Sequence, residues 1–570
     1  VDRLADHVGT VLDTLFRNPP DSDVAGLVRY EGDRWRTGHQ DAEKVWSVTT
    51  AMGALAAARV GSMLNDRGRR GDAYLDRASD LYELLSEDGP LTTGAGYLAE
   101  QAFDDGDLDS AAPLGWSHAL RLHATALLDD LNALPTTSAV TEGPSAHPTW
   151  TTGEKYGVGT VADHGEQDPS RVWFTLTEGA LTEARYPQVD LLNLRTLDFL
   201  VRCVDESDYA VRTHRENRRV DDTVERRVEP VDDESLLFRH VFTETGDGRG
   251  HRWTLTVDYA TDPEHDAIVA DVAFEAEDDK LYDVFSVADI ALTSTDRRDR
   301  GIRYGKPGSY HLVARNPRAY TDATDNDLLV DENGDAYSIA VAMAAAGRFD
   351  WATVGAAGSD RLDGLYSDGD LPDPVESIDG TNLVLIGRLD SGTRVSDTVA
   401  LGFAEEADTA SALDEAKNAI ARGFDDVSDA YTETWRDWLS GREFPDSVTG
   451  DAELEAQYRF ALMTLAAVED KRHDGAGIAS PSVPWGETEY AAEDRGYGYN
   501  FVWSRDLYQV FTALIEVGEV DRGAEALAYL YNTQQDDDGF LPQNTYIDGR
   551  TRWGGEQMDN IAFPSVMAWQ

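Results

Sequence analysis

The spacing of apolar residues along the chain changes twice. In the first 134 residues, apolar side chains recur every three or four positions, which is typical of amphipathic helices. One such stripe consists of Leu4, Val8, Val11, Leu12 and Leu15. Later the period falls to 2, and this alternation predicts half-buried strands. Three such runs begin at Val172, Trp253 and Ile268. From Ala410 the helical period returns and predicts one long helix that reaches Trp438.

These periods predict a multidomain protein of the α and β class, in which helical portions flank a large antiparallel β-sandwich. Within the last portion we expect four helices. Three of them start near Asp506, Asp521 and Asp559, where a carboxylate can accept free backbone N–H groups. The final apolar pattern stops at Trp569, so we expect the chain to be part of a longer protein. The predicted boundaries are a helical portion 1–134, a linker 135–148, the sandwich 149–405, a helical linker 406–449 and a second helical portion 450–570.

Acidic residues dominate the charged side chains. The 570 residues include 107 Asp and Glu against 50 Lys and Arg, which gives a net charge of −57, and only six of the cations are Lys. A surface crowded with carboxylates repels itself in dilute buffer, and molar salt shortens the Debye length to about 3 Å. We therefore expect a salt-adapted protein and slightly favour the cytoplasm over secretion. An ordinary acidic protein is the alternative.

Several function classes are disfavoured by the sequence. The acidic field would repel nucleic acids and anionic membranes, and no apolar run approaches the roughly 18 to 20 residues that cross a bilayer. The 12 His are scattered, Cys203 is the single Cys, and no phosphate-binding loop is present. We expect neither a metal nor a cofactor. The acidic run 536–538 could bind calcium, although a solvated loop is the better interpretation.

Aromatic and polar side chains cluster in the last helical portion, in the connections between predicted helices. Exposed Trp and Tyr rings match the C–H faces of a pyranose, whereas Arg, Asp, Gln and Asn supply groups that hold its hydroxyls. Some of these aromatics could instead close the ends of a helical bundle. The cluster comprises Trp485, Tyr497, Tyr499, Trp503, Arg505, Asp506, Gln543, Asn544, Trp553, Glu556, Gln557 and Asp559.

The motifs in this region resemble glycoside hydrolase family 15, the glucoamylases and glucodextranases. The segment Trp503-Ser-Arg-Asp-Leu-Tyr508 is similar to the start of the family's catalytic domain. Its neighbours Ser482-Val-Pro-Trp-Gly486, Leu541-Pro-Gln-Asn544 and Trp553-Gly-Gly-Glu-Gln-Met-Asp559 fit the same pattern. In the family a large N-terminal β-sandwich precedes an (α/α)6 toroid, and Val172-Trp-Phe-Thr-Leu-Thr-Glu-Gly179 resembles the start of that sandwich.

The resemblance implies a role for each matching residue. Arg505 and Asp506 match the pair that holds the glucose at the non-reducing end. Tyr499 and Trp503 would line the same subsite.

Four further residues are implied in substrate binding. Trp485 lies in the first neighbouring motif, and Trp553 would cover the next sugar. Gln557 and Asp559 lie in the segment that shapes the entrance.

The general acid of the family lies beyond these motifs, in a later Trp-Glu-Glu segment, so we expect this sequence to lack it. The region Gly94 to Ala119 resembles the last helices of the same toroid, where a Glu-Gln pair carries the general base. On this resemblance Glu100 is the candidate general base. A helix-terminal carboxylate is the structural alternative. We therefore expect the end of one toroid, a sandwich and the start of a toroid, and favour a fragment with tandem modules over a permuted arrangement.

The expected activity is exo-hydrolysis of α-glucosidic bonds in glucans or oligosaccharides, with inversion. A degenerate paralogue that binds carbohydrate without cleaving it, and a trehalase of the same family, are the alternatives. A polysaccharide lyase is less favoured, because an acidic substrate would require a basic cleft. Linkage specificity and oligomeric state cannot be read from the sequence.

The charge excess predicts a dependence of stability on salt. We expect the melting temperature to fall when KCl is lowered below about 0.5 M, because carboxylate repulsion is then less screened. Differential scanning fluorimetry across a KCl series measures this, and equal melting temperatures at low and high KCl would contradict it.

Overall fold

The computed structural model describes two compact units, one within residues 1–138 and the other within residues 139–316 and 337–570. The description covers all positions except 19–23, 36–39, 41, 66, 68, 70, 87–89, 93–97, 113, 132, 134–148, 163–168, 207, 215–222, 247, 295–298, 307, 317–336, 381, 484, 485 and 487–497. The predicted linker 135–148 therefore lies outside the described residues.

The first unit is a helical body with two small sheets. Its central helix is lined with small residues, and it packs against the others around a core that includes Leu12, Ala57, Leu81 and Leu128. The predicted amphipathic stripe from Leu4 is the first helix. The helices are α1 Asp2–Leu15, α2 Ser47–Asn65, α3 Asp72–Glu83 and α4 Gly115–Asp130. The strands are β1 Phe16–Arg17, β2 Gly26–Leu27, β3 Val45–Trp46, β4 Gln101–Ala102 and β5 Leu108–Asp109.

Two large antiparallel sheets face each other in the second unit, as the alternating pattern predicts. Their strands are β6 Gly157–Gly159, β7 Trp173–Thr177, β8 Ala180–Arg185, β9 Leu192–Cys203, β10 Ala210–Arg212, β11 Val224–Pro230, β12 Phe238–Glu244, β13 Trp253–Thr261, β14 Ala267–Ala276, β15 Tyr282–Ile290, β16 Asp299–Lys306, β17 Ser309–Arg315, β18 Ile339–Ala345, β19 Ala352–Ala356, β20 Ser377–Gly380, β21 Leu383–Gly392 and β22 Arg394–Glu405. Among the residues that the structure describes, one sheet has the order β19-β21-β15-β9-β8-β7-β6 with β10 on β9. The other has the order β11-β12-β13-β14-β22-β18-β17-β16-β20.

Burial along the strands explains which of them the alternation could reveal. In β12 every second residue is buried, because one face of that strand meets the core and the other meets solvent. In β9 and β15 almost every residue is buried. A short helix, α5 Asp360–Asp368, covers the outer face with Leu362 and Leu365. These two strands therefore lack the period of 2.

Within the described part of the chain, six helices follow the sheets. They are α6 Thr409–Arg422, α7 Phe424–Ser440, α8 Ala452–Ala467, α9 Ser504–Glu516, α10 Val520–Tyr529 and α11 Met558–Met567. A π-helical turn, Leu530–Gln534, extends α10, and a hairpin of β23 Asn544–Thr545 and β24 Thr551–Trp553 precedes α11. None of the described helices is long and apolar enough to cross a membrane.

Two expectations about these helices need correction. The single long helix predicted from Ala410 is two helices, because Gly423 between them adopts a φ of +84°, which a helix cannot accommodate. The first turns of α9, α10 and α11 contain Asp506, Asp521 and Asp559, respectively. Their negative charges interact favourably with the positive end of the helix dipole. None of the three occupies the N-cap position itself, but the Asp559 carboxylate accepts a hydrogen bond from a free backbone N–H group, that of Asn560, at 2.9 Å.

The sheets and the last helices share one hydrophobic core. Trp173 of β7 and Val189, in the loop after β8, pack in the same cluster as Leu507 and Phe511 of α9. The start of α9 is therefore positioned by the sandwich as well as by its neighbouring helices. On the second sheet α6 lies very close to β22, since a Cβ on Gly402 would collide with the backbone oxygen of Ala412.

A buried ion cluster strengthens the contact between the sandwich and the helical part. The Glu183 carboxylate is fully buried and pairs with Lys155 at 2.8 Å and with Arg185 at 3.0 Å. Arg185 Nη2 also donates to Pro481 O at 2.6 Å. Removing one partner of such a cluster would leave a buried charge without compensation, which typically costs about 3–5 kcal/mol.

A second polar contact joins the loop after β8 to the helical part. Val189 N donates to Asp470 Oδ1 at 2.9 Å, and Ile547 N lies 3.4 Å from Asp190 Oδ2. Asp190 is buried, and none of the described residues donates to its Oδ1. Burial raises the pKa of Asp190 to about 7, and the carboxylates of Asp470 and Asp548 add to the shift.

Stability should therefore fall as the pH rises through the titration of Asp190. Its folded pKa exceeds the ordinary value of about 4, so its stabilising contribution is complete below about pH 4 and is lost on the way to pH 7 and above. An Asp190→Asn variant cannot ionise at this position. We expect its melting temperature to exceed that of the wild type by a few degrees at pH 8 and by less at pH 5.

Scanning fluorimetry at constant KCl measures both values. Asp470, Asp548 and His473 face Asp190 in both proteins. Burial is the largest single influence on His473 and lowers its pKa, but the hydrogen bond to Asp470 and the negative charges of Asp470, Asp190 and Asp548 together raise that pKa above its ordinary value. Asp446→Asn, on an exposed turn, is the matched control. Parallel pH profiles for the Asp190 variant and the wild type would contradict the prediction.

Candidate active site

The candidate site lies where the first turns of α9 and α11 meet. Ser504 and Asn560 are both fully buried at this junction. Ser504 Oγ donates to Asn560 O at 2.6 Å and lies 3.2 Å from Asn560 Oδ1, and Arg505 N donates to the same Oδ1 at 3.1 Å. The two helix starts are thus held together by direct hydrogen bonds, and the next residues of each helix face solvent.

Arg505 is the centre of the polar network. Its Nη1 donates to Gln557 Oε1 at 3.2 Å and to Asp559 Oδ2 at 3.1 Å, and its Nε lies 3.4 Å from Asp506 Oδ2. The side chains of Arg505, Asp506 and Asp559 are 39%, 38% and 40% exposed, respectively. One guanidinium therefore holds two carboxylates and an amide in fixed positions at a surface that a ligand can reach.

The two carboxylates differ in their titration. Burial raises the pKa of Asp506, and the opposing pull of Arg505 does not fully compensate. Burial is the largest single influence on Asp559 and raises its pKa, but the hydrogen bonds from Arg505 and Asn560 N, together with the positive charge of Arg505, hold that pKa below the ordinary range. Asp559 is therefore the firmly ionised partner of Arg505.

Three of the predicted aromatic residues form a row beside this network. Tyr499 and Trp553 each meet Trp503 edge to face, with ring centroids 5.9 Å and 6.3 Å apart. Trp503 is only 3% exposed, whereas Tyr499 is 43% exposed. The rings that a ligand could contact directly are therefore those of Tyr499 and the half-buried Trp553, with Trp503 supporting both from below.

The hairpin before α11 positions these rings. Val502 and Thr545 exchange backbone hydrogen bonds at 2.9 Å and 3.1 Å, which ties the segment before α9 to β23. Trp553 N donates to Asn544 Oδ1 at 3.0 Å across the hairpin. The structure thus brings Tyr499, Trp503, Arg505, Asp506, Trp553, Gln557 and Asp559 into one neighbourhood.

Two further predicted site residues, Trp485 and Glu100, are considered separately. Trp485 lies outside the described residues. Glu100 belongs to the first compact unit, where it directly precedes β4 and is half-buried. Its Oε2 accepts a hydrogen bond from Ser110 Oγ, and its backbone pairs with Ser47 and Ala111. Glu100 is therefore not at a helix terminus, and the structural alternative considered for it is wrong.

Asn560 is the polar residue that sequence reasoning missed. It lies in a helix that is otherwise mostly apolar, and this isolated amide among apolar neighbours is the signal that could have identified it. By contrast, the acidic run 536–538 forms a turn, since Asp536 Oδ1 accepts from Asp538 N and Phe540 N. Within the described residues, no three His, Cys, Asp or Glu side chains are arranged to hold a metal ion.

The chemistry of the site suits a neutral, polyhydroxylated ligand. A fixed fork of Arg505 donors, two carboxylates and an amide can exchange hydrogen bonds with hydroxyl groups, and the exposed ring of Tyr499 offers an apolar surface beside them. The local charge is one cation against two anions, which would not favour an anionic ligand.

Comparison with known proteins identifies both parts of the second unit. Residues 140–440 match the model of "Glucodextranase, domain N", and residues 454–570 match that of "Glycosyl hydrolases family 15". The glucoamylase of Clostridium sp. (strain G0005) is 28% identical over 430 residues, which cover 75% of this chain and 55% of that protein.

A solved structure shows the same architecture. The crystal structure of a bacterial glucoamylase complexed with acarbose aligns with a TM-score of 0.63 and 25% identity, over 76% of this chain and 58% of that one. The chain thus spans little more than half the length of these relatives. Because the first family model alone covers more than half of its residues, the chain belongs to the glucodextranase and glucoamylase group of glycosyl hydrolases family 15.

Proposed function

We propose that the full-length protein is a glucoamylase-like hydrolase that releases glucose from the non-reducing ends of α-glucans or oligosaccharides, with inversion. The observation that carries this proposal is the arrangement inside the family 15 segment. Arg505 is held between Asp506 and Asp559, beside the exposed ring of Tyr499 and with its own guanidinium accessible. The relatives named above are glucoamylases, and one of them is complexed with acarbose.

The proposed domain organisation follows the sequence boundaries. Residues 450–570 would be the first part of an (α/α)6 toroid, and residues 1–134 the last part of such a toroid. Residues 149–405 would be the β-sandwich, with linkers at 135–148 and 406–449. Helices α8 to α11 and the family match over 454–570 support the assignment of the second helical portion.

In this proposal Arg505 and Asp506 bind hydroxyl groups of the terminal glucose. Bidentate hydrogen bonding by a guanidinium and a carboxylate fixes a sugar ring in one orientation, which is how binding energy is converted into positioning. Tyr499 and Trp503 line this subsite. The neighbouring sugar would lie against Trp553.

The remaining substrate-binding residues would shape the entrance. These are Trp485, Gln557 and Asp559. Since Asp559 is held by Arg505 and by Asn560 N, it would act mainly by fixing the guanidinium.

Glu100 is proposed as the general base, and the general acid would lie beyond the motifs of this chain. In an inverting enzyme the two carboxyl groups stand roughly 6.5–9.5 Å apart, so that a water fits between the base and the anomeric carbon. The base must be ionised when the acid is protonated, so their environments must separate the two pKa values.

Stereochemistry tests the proposed reaction most directly. We expect the full-length protein to release β-glucose from a maltooligosaccharide, and polarimetry or proton NMR during the first minutes of hydrolysis identifies the anomer. Release of α-glucose, or cleavage in mid-chain, would contradict the mechanism. Binding of maltotriose without any turnover would instead indicate a carbohydrate-binding paralogue, and cleavage confined to trehalose would indicate a trehalase.

Arg505 provides a test of the proposed subsite. Arg505→Lys keeps the positive charge but loses the planar fork that reaches Gln557 and Asp559, so we expect kcat/KM on maltotriose to fall by about 100-fold or more. The matched control is Arg459→Lys on α8, whose guanidinium contacts Asp233 and Glu455 instead. Equal losses in the two variants would show that Arg505 has no special role.

A further inference from the structure

The side-chain amide of Asn560 connects three polar elements of the site. Its Oδ1 accepts from Arg505 N at 3.1 Å, and its Nδ2 donates to Gln543 O at 3.2 Å and to Gln557 Oε1 at 2.8 Å. The residue is fully buried, so these contacts are not shared with solvent. A saturated, buried amide of this kind has one orientation only.

Backbone groups determine that orientation. Arg505 N can only donate a hydrogen bond and Gln543 O can only accept one. The oxygen of Asn560 must therefore face Arg505, and its nitrogen must face Gln543. The second hydrogen of Asn560 Nδ2 then points at Gln557, and it requires an acceptor there.

The fixed orientation of the Asn560 amide also fixes the amide of Gln557. Its Oε1 must face Asn560 Nδ2, and the Arg505 guanidinium, which is also an obligate donor, reaches the same oxygen at 3.2 Å. Both contacts place the oxygen inward and the Nε2 group of Gln557 outward. Among the described residues none accepts a hydrogen bond from Gln557 Nε2, and the side chain is half-buried at the accessible edge of the site.

We propose that Asn560 is a positioning residue, which fixes the direction of the Gln557 amide so that Gln557 presents a hydrogen-bond donor to an oxygen of the sugar. Gln557 is thereby a donor in the entrance of the site and not an acceptor. The inference rests on the proposed function, because it requires a sugar in this site. The inference assigns a direction to the hydrogen bonds of the site. Asp506 and Asp559 accept hydrogen bonds from the sugar, whereas the Nε2 group of Gln557, held in one orientation, donates one to it.

Two substitutions separate this role from a merely structural one. Gln557→Glu keeps an acceptor for Asn560 and Arg505 but removes the outward donor, so we expect KM for maltotriose to rise about tenfold or more. Asn560→Asp replaces the Nδ2 donor by an oxygen, which opposes Gln543 O and favours the reversed amide at Gln557. We expect a similar rise in KM. Because both substitutions remove the same donor, a double variant of Gln557→Met with Asn560→Asp should show little further rise over Gln557→Met alone. Gln557→Met replaces Gln557→Glu in this pair, since Glu at 557 beside Asp at 560 would add a repulsion between two carboxylates that neither single variant contains.

Asn316 supplies a matched control for the buried amide. It is buried directly after β17, where its Nδ2 donates to Thr293 Oγ1 and its Oδ1 accepts from Ile339 N. Asn316→Asp should therefore lower the melting temperature by an amount comparable to Asn560→Asp and leave KM unchanged. An equal effect of the two Asn variants on KM would overturn the proposal.

The remaining outcomes are equally decisive. A Gln557→Glu variant with the KM of the wild type would overturn the proposal, and this variant, at an exposed edge, remains informative even if Asn560→Asp does not fold. Additive effects in the double variant would also overturn it. If the wild type shows no turnover, calorimetric titration with maltotriose replaces KM by Kd in the same comparisons, so that loss of the proposed activity and loss of the inference are distinguished. A wild type that neither cleaves nor binds maltotriose would overturn both.

Discussion

The geometry of the candidate site depends on the hydrophobic core that the sheets share with the last helices. Leu507 and Phe511 lie one and two turns into α9, and both pack in a cluster with Trp173 and Val189 of the sandwich part. Because close-packed interiors transmit small displacements, a shift of the sandwich surface would move the start of α9. Arg505 and its neighbours therefore depend on residues more than 300 positions earlier in the sequence. This dependence gives the sandwich a physical role in the site without requiring it to touch a ligand.

Polar groups make the same contact directional. An apolar interface alone can slide, whereas the hydrogen bonds from Val189 N to Asp470 and from Arg185 to Pro481 O each require one register.

Several of the few lysines also make specific polar contacts in the interior. Lys155 pairs with the buried Glu183, and Lys471 donates to Ser170 O and lies over the ring of Trp173. In the first unit the buried Lys44 pairs with Asp109. Three of the six lysines therefore make structural contacts, whereas Lys306 and Lys417 are exposed.

The sequence predicted those features that local patterns encode. The strand beginning at Trp253 was visible because one face is buried and the other is not, whereas β9 and β15, buried on both faces, showed no such alternation. The break between α6 and α7 was missed because the helical stripe continues across Gly423, and only the backbone angle at that glycine separates the helices. The short strand that follows Glu100 has two residues, too few for any period to register. The run from Val172 alternates although β7 is buried at every position, so that strand was predicted correctly and its half burial was predicted wrongly. Local pattern therefore misjudges two-sided burial, and it fails where one residue turns the backbone and where an element is very short.

Arg505 and Asp506 could be identified because they are adjacent in a recognisable motif, but the function of Asn560 could not. Its partners lie up to 56 residues away, and they meet only because α9 and α11 start side by side. The donor and acceptor roles in such a network are determined by its buried backbone groups. A backbone N–H group and a backbone carbonyl fix the buried amide, the buried amide fixes Gln557, and the last group at the surface has no freedom left. A neutral sugar gains little from the −57 charge of the whole protein, so the direction of a few hydrogen bonds, and not the field, must determine how it binds. The strong acidity and the specificity of the site are therefore separate properties, carried by different residues.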